Sequence, residues 1–366
     1  MQRRKLVFNT AALTASILAG VTPSIAQTNN TCLPPPPLTS GAINAVAEIK
    51  ALRIPTGPYA GAYEIAPNGL SNWYFTNLGL IAIVQYLDGP DLDKYIRSYL
   101  DLYLSKLEPN MSIMDVQFPF GRANTSSVNL VLADSDDSYA ATTLTLAMRY
   151  LRVSQNWAWW DRNKTRLKDI AYRNITLSVK SNGLTSVFQS PRSQSNNSGY
   201  LMDNAESYRG LRDFAAVLRE RGDTADANYY DAFAKNIGVG MTTLFQPATA
   251  GFRMSDASNQ TETSFYPGTT CQVFPQVFGV AECAPYYDRA WNFFNTNSPN
   301  WELGKLDPFP FAVLGFAAAK RGLTTQAKAQ LASMEATFLA NRRLLTINEL
   351  GFYQRTQSVL AGRTDI

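Results

Sequence analysis

The sequence predicts an all-α fold, an (α/α)6 toroid of about six helical hairpins with small β-hairpins in its loops. Two observations predict it. Apolar residues recur at the i, i+3, i+4, i+7 spacing of amphipathic helices in segment after segment of the 366-residue chain. The links between those segments are short, and no Pro/Gly-rich linker divides the chain after the run Pro34–Pro37. No short repeat is visible, which argues against a solenoid.

The N-terminus reads as a targeting segment. Arg3, Arg4 and Lys5 precede an apolar stretch through Leu18, and Ser24-Ile25-Ala26 supplies small residues before a cut at Gln27. A membrane anchor needs about 20 apolar residues, and Asn9, Thr10 and Thr14 interrupt this stretch. Residues 1–26 are therefore expected to be a signal peptide, 27–40 a Pro-rich tail, and 41–366 one domain. The expected location is secreted or periplasmic, without stable membrane insertion.

The helical faces follow in order. Ile43, Val46, Ala47 and Ile49 form the first, and 69–87 reads as a nearly fully buried helix. Leu92, Tyr95, Ile96, Tyr99 and Tyr103 give a clean amphipathic face, as do Ala140, Leu144, Ala147 and Leu151. Further faces cover 163–180, 205–221, 225–238, 284–296, 308–321 and 325–341. Two β-hairpins are expected, pairing 183–188 with 199–202 and 244–246 with 251–254.

Composition narrows the function. Hydrophobic residues at 45% and aromatics at 12% describe a globular protein. A formal charge of +4 without a long basic run gives no indication of nucleic acid. Export would place the cysteines in an oxidising compartment, where Cys271 and Cys283 are the expected disulfide and Cys32 is left over. The chain contains no histidine. Ser-His-Asp triads, Cys-His dyads and histidine-ligated zinc are thereby excluded, and carboxylates remain as acid and base.

Those carboxylates fall in two clusters. Asp134, Asp136 and Asp137 lie within four positions just before a helix, in a chain with 17% charged residues. A helix cap accounts for one or two of them, because acids suit the positive end of the dipole. The third is surplus, since adjacent like charges raise each other's pKa. Asp203 and Glu206 are three apart at a helix start, so they share one face; a capping box is the alternative. Glu64, in a loop among apolar neighbours, is a candidate for a raised pKa and a proton-donor role. Asp307 and the aromatics Trp73, Tyr139, Tyr200, Tyr208 and Tyr266 stand near these loops, as groups that bind a sugar's hydroxyls and apolar faces would. Two carboxyl groups can hydrolyse a glycosidic bond with neither histidine nor metal. Asp134, Asp136 and Ser138 alternate like part of a calcium loop, but the glycine and terminal glutamate of an EF-hand are missing. No metal or cofactor is expected.

With these motifs in place the chain resembles the six-hairpin glycosidases, and distantly glycoside hydrolase family 8. In that family an acid glutamate precedes the second helix, as Glu64 does here. An Asp-containing tract opens a helix with an alanine-rich face, as Asp134-Ser135-Asp136 precedes Ala140-Ala141. A later aspartate at a helix start serves as base, and Asp203 is its nearest counterpart. The resemblance implies an exported glycosidase acting on a poly- or oligosaccharide, a monomer whose only partner is carbohydrate. Asp136, Asp137, Asp203, Glu206 and Glu64 are then the catalytic candidates. A polysaccharide lyase on the same fold and a non-catalytic carbohydrate-binding protein are the alternatives.

Overall fold

The computed structural model describes residues 42–67, 69–188 and 197–363. The expected signal peptide, the Pro-rich tail and Cys32 lie outside the described residues.

Among the described residues, twelve main helices follow in order. They are α1 (Ala45–Ala51), α2 (Trp73–Ile83), α3 (89–106), α4 (Asp137–Ser154), α5 (Trp157–Ile170) and α6 (Leu201–Glu220). The second half holds α7 (Thr224–Thr242), α8 (270–277), α9 (Tyr287–Asn297), α10 (Val313–Lys320), α11 (Thr324–Ala340) and α12 (Ile347–Leu360). Burial sorts them into two layers. In α4 every residue from Asp137 to Leu151 is buried, whereas α11 buries only Ala327, Gln330 and Met334 on one stripe. The even-numbered α2, α4, α6, α8, α10 and α12 pack each against the next and close on themselves as an inner ring. The odd-numbered helices lie outside them. This is the all-α toroid that the sequence predicts.

The inner contacts are close because small and polar residues line them. Asn77 of α2 donates through Nδ2 to Thr142 at 3.0 Å and Thr143 at 2.8 Å on α4. A Cβ on Gly210 of α6 would stand 2.6 Å from the carbonyl oxygen of Ala141 on α4, so only glycine fits there. The ring closes where Gly351 of α12 meets the backbone of Leu78 and Gly79. The first outer helix joins this seam, with Ile43 N–H donating to the Tyr353 hydroxyl at 3.1 Å and Arg342 paired with Glu48 at 2.9 Å.

Link lengths decide where a site can form. Three inner helices turn into their outer partners through a residue in the left-handed region: Gln155 (φ 54°), Gly222 (φ 80°) and Gly322 (φ 73°). These tight links close the end where the inner helices finish. The long connections lie at the opposite end, where the inner helices begin.

Those connections carry the strands. Antiparallel β3 (Phe245–Gln246) and β4 (Gly251–Phe252) form one of the expected hairpins. The other is only partly present: Val187 N–H reaches Ser198 O at 3.1 Å, but Thr185 bridges to Val179 and Tyr200 to Ser255. Residues 189–196 lie outside the described set. A hairpin the sequence reading missed, β1 (Met114–Gln117) with β2 (Asn129–Leu132), leads into the acidic cluster. No helix among the described residues is long and apolar enough to cross a membrane.

Candidate active site

The two acidic clusters come together because α4 and α6 are neighbours in the ring and both begin at the open end. Helix α4 starts at Asp137, with Asp136 in the cap position but no side-chain capping bond. Asp137 is fully buried; its Oδ1 accepts from Ser138 N–H at 2.8 Å and its Oδ2 from the Thr185 hydroxyl at 2.6 Å. Thr185 is itself anchored to α6, its N–H donating to Asn204 Oδ1 at 2.7 Å. Asp136 is buried too, and its N–H donates to Val187 O at 2.7 Å. Asp134 stands exposed one step before them.

On α6 the capping-box alternative is corrected. The helix begins at Leu201 with Tyr200 in the cap position, so Asp203 and Glu206 lie inside it, and the Asp203 carboxylate accepts from its own N–H in the first turn. Glu206 is buried, and Tyr74 of α2 donates its hydroxyl to Oε1 at 2.6 Å. The other oxygen, Oε2, has no hydrogen-bond partner among the described residues. Protein surrounds Asp203, yet it keeps partial solvent exposure.

The electrostatics follow from this crowding. Burial raises the Asp137 carboxyl well above its ordinary range, and the charge of Asp203 adds to the effect. Glu206 is raised in the same way by burial, then by Asp203, with the Tyr74 hydrogen bond opposing. Asp203 is pushed up to about 7 by burial and by the charge of Asp134. These carboxyls thus share a neighbourhood in which they cannot all ionise near neutral pH.

A sixth carboxyl comes from the missed hairpin. Asp115 on β1 is 5% exposed and accepts from Tyr139 Oη at 2.8 Å, Asn72 Nδ2 at 2.8 Å and Trp73 N–H at 3.2 Å. Burial pushes it up to about 7, against the hydrogen bonds it accepts. The Tyr139 ring lies 5.9 Å from that of Tyr74 at 25°, so Tyr139 stacks on the residue that holds Glu206.

The remaining predicted residues divide. Tyr266, 54% exposed, packs on Phe311 at 5.1 Å and feels the charges of Asp203, Asp134 and Glu206. Tyr200 is partly exposed and neighbours Tyr266. Trp73 has no exposed surface; its indole donates to Met114 O at 2.8 Å and packs among Tyr59, Tyr99 and Tyr103. It therefore offers no face to a sugar. Tyr74, one position on and turned about 100° around the helix, faces the carboxylates in its place. Tyr208 is buried against Arg212 and the N–H of Ala281. Glu64 is buried and ion-paired with Arg122, which also donates to the carbonyls of Ala51 and Arg53. Asp307 accepts from Phe309 N–H at 2.9 Å and acts on Glu349, a buried acid that receives the N–H of Ala312.

The expected disulfide is corrected. Cys271 and Cys283 are separate buried thiols. Cys271 Sγ faces the carbonyl of Gly268 at 3.2 Å, and burial raises both thiols, Cys283 to about 12. No group of three or more His, Cys, Asp or Glu among the described residues is placed to hold a metal ion.

The raised carboxyls make a prediction for stability. An acid whose folded pKa lies above its unfolded value, near 4, contributes stability that is complete below about 4 and is lost as pH rises through the folded value. For Asp115, Asp203 and Glu349, each pushed up to about 7, the window runs from about 4 to about 7. Thermal unfolding should therefore give a Tm several degrees higher at pH 5 than at pH 8, and Asp203→Asn should flatten that slope. A Tm rising between those pH values would contradict the assignment.

The fold and site together define an all-α toroid with a cluster of carboxylates at the end where its inner helices begin. Solved structures share that architecture. One is a glycosidase with a glutamate-to-alanine substitution (TM-score 0.56, 12% identity, 89% of this chain and 97% of that one). Another is a glycosidase glutamate-to-alanine variant in complex with glucose (TM-score 0.55, 12% identity, again 89% and 97%). At that identity the likeness is one of fold. A glycoside hydrolase family 78 rhamnosidase of Bacillus sp. GL1 superposes less well (TM-score 0.49, 14% identity, 82% of this chain), and this chain spans only 36% of its length. No family model and no curated protein sequence matches the chain.

Proposed function

We propose that this chain is an exported glycoside hydrolase that cleaves a poly- or oligosaccharide by carboxylate acid/base catalysis. One observation carries the reading: Asp134, Asp137, Asp203 and Glu206 converge at the open end of the ring, with three of them pushed toward the protonated form. Asp203 is the proton donor, since it combines access to the cleft with a value of about 7. Asp134, exposed beside it, is the carboxylate open to water or to the anomeric carbon. Asp137 and Glu206 crowd Asp203 from beneath, and Tyr266 offers an exposed ring for a sugar face. The glycosidase neighbours in fold, one of them holding glucose, support the same class. The family 8 resemblance of the Asp134-Ser135-Asp136 tract points the same way. Export rests on the basic, apolar and small-residue sequence of the first 26 positions.

The lyase alternative needs a cation to neutralise a uronate carboxylate. The charges that act on Asp137 and Asp203 are instead those of other carboxylates; the cations Arg149, Arg209, Lys320 and Arg355 line a cavity with Glu206, and neither Asp137 nor Asp203 lines it. Neutral polysaccharides should therefore be cleaved with release of reducing ends, and their uronate counterparts at least about tenfold more slowly. A panel assay reads both, alongside ultraviolet absorbance for an unsaturated product. Faster cleavage of uronates, or an absorbing product, would replace hydrolysis by elimination.

A further inference from the structure

We propose that Phe311 and Tyr266 form a stacking subsite for a pyranose ring of the substrate, and that Gln330 is the positioning residue that holds Phe311 in place. The inference rests on the glycoside hydrolase reading and adds to it a second aromatic ring and the brace behind it.

The backbone of Phe311 lies in the left-handed region (φ 50°). A residue with a Cβ is crowded there, and glycine is the usual occupant. Such a conformation persists only where its surroundings over-determine it, and those places cluster at functional sites. Here the surroundings are a clamp. Gln330, on the outer helix α11 and 1% exposed, donates through Nε2 to the carbonyls of Pro310 at 2.8 Å and Phe311 at 3.1 Å. Both hydrogens of the amide are thereby used on this one turn. On the other side, Ala312 N–H donates to Glu349 Oε2 at 2.5 Å, and Leu314 N–H donates to Phe311 O at 3.0 Å. Gly315 of α10 leaves room for the clamp, since a Cβ there would stand 2.2 Å from Gln330 Oε1.

The clamp aims a ring at the open end of the toroid. Phe311 is half-buried; it meets Phe265 edge-on (5.3 Å, 84°) and lies tilted against Tyr266 (5.1 Å, 36°). Phe265 and Phe311 both pack on the core, whereas Tyr266 is 54% exposed. The charges of Asp203, Asp134 and Glu206 all act on the Tyr266 hydroxyl, so the ring pair stands beside the carboxylates. A pyranose has an apolar C–H face and a girdle of hydroxyls. The two rings meet the face, and the carboxylates meet the hydroxyls. A turn alone would be served by glycine without crowding; the phenylalanine adds a ring next to the reacting groups.

The test titrates cellohexaose, maltohexaose and mannohexaose calorimetrically into Asp203→Asn, in which cleavage is slow, and into the same protein with further substitutions. Phe311→Ala should raise the Kd of the hexasaccharide that binds about tenfold, the worth of about 50 Å2 of apolar contact. Phe311→Gly should lose the same affinity yet melt at a higher temperature than Phe311→Ala, because glycine takes the left-handed conformation freely. Gln330→Ala should raise Kd about threefold or more, and in the Phe311→Ala background it should raise it no further. Gly315→Ala should do the same, because its methyl pushes the Gln330 amide aside. It also covers the case in which Gln330→Ala does not fold, since alanine favours the helix. With Asp203 restored, KM for reducing-end release should rise in the same proportion and kcat stay within about twofold. Unchanged affinity in folded Phe311→Ala or Phe311→Gly overturns the subsite, as does failure of all three sugars to bind the parent. Unchanged affinity in folded Gln330→Ala and Gly315→Ala, or losses that add to that of Phe311→Ala, overturn the positioning role. If the wild type releases no reducing ends, the hydrolase reading fails, and the calorimetry still decides the subsite.

Discussion

Asp203→Asn should lower kcat by about 10²- to 10⁴-fold, the usual contribution of a positioned general acid, with little change in substrate binding. The amide keeps the size and polarity of the side chain but cannot deliver a proton to the leaving oxygen. Glu206→Gln should cost less, because the amide oxygen can still accept from the Tyr74 hydroxyl at Oε1. The two variants therefore rank the carboxyls by role, and reducing-end release measures both. In the wild type the alkaline limb should fall near pH 7, where Asp203 loses its proton; in Asp203→Asn that limb should disappear with the activity. Equal loss in both variants would shift the proton donor to Glu206, and no loss in either would move the site away from α6.

Gly210→Val is expected to have the largest effect on stability. An added Cβ would lie 2.6 Å from Ala141 O and 2.8 Å from its Cα. Those are backbone atoms in the second turn of α4 and cannot swing aside as a side chain would. Overpacking of this kind costs about 1–3 kcal/mol, so Tm should fall by roughly 2–10 °C. The strain also pushes α4 from α6, the two helices that bring Asp137 to Glu206, so activity should fall further than Tm alone explains. Gly89→Ala is the control: its Cβ meets nothing within 4 Å, and its Tm should be unchanged or slightly raised. A Gly210→Val protein as stable as that control would refute the close approach.

The layers of the fold were legible because outer helices such as α11 bury a stripe at helical spacing, while inner ones such as α2 are apolar almost all round. That all-round burial is also what hid the site. Periodicity cannot tell which side of a fully buried helix faces the lumen, so Trp73 and Tyr74 exchanged roles by one position. The acidic clusters were visible as surplus charge at helix starts, and the ring brought them together. Glu64 was read from its apolar neighbours and its place before the second helix, and its partner Arg122 is far along the chain, beyond the reach of any local pattern. Asp115 was not among the candidate residues. Its importance comes from a hairpin whose strands are four residues each, too short to announce themselves. The cysteine pair was inferred from spacing, and spacing says nothing about where two thiols point.

The seam where α12 meets α1 and α2 bears on how the chain is made. Residues near position 43 bond to residue 353, and Gly79 has no inner neighbour on one side until Gly351 arrives. During synthesis the early helices emerge with an apolar flank uncovered, and nothing made in the meantime can cover it. The ring is complete only when the last inner helix has left the ribosome. Until then the nascent protein presents an open arc, and a chaperone that keeps it unfolded would shield the same surface that α12 finally covers.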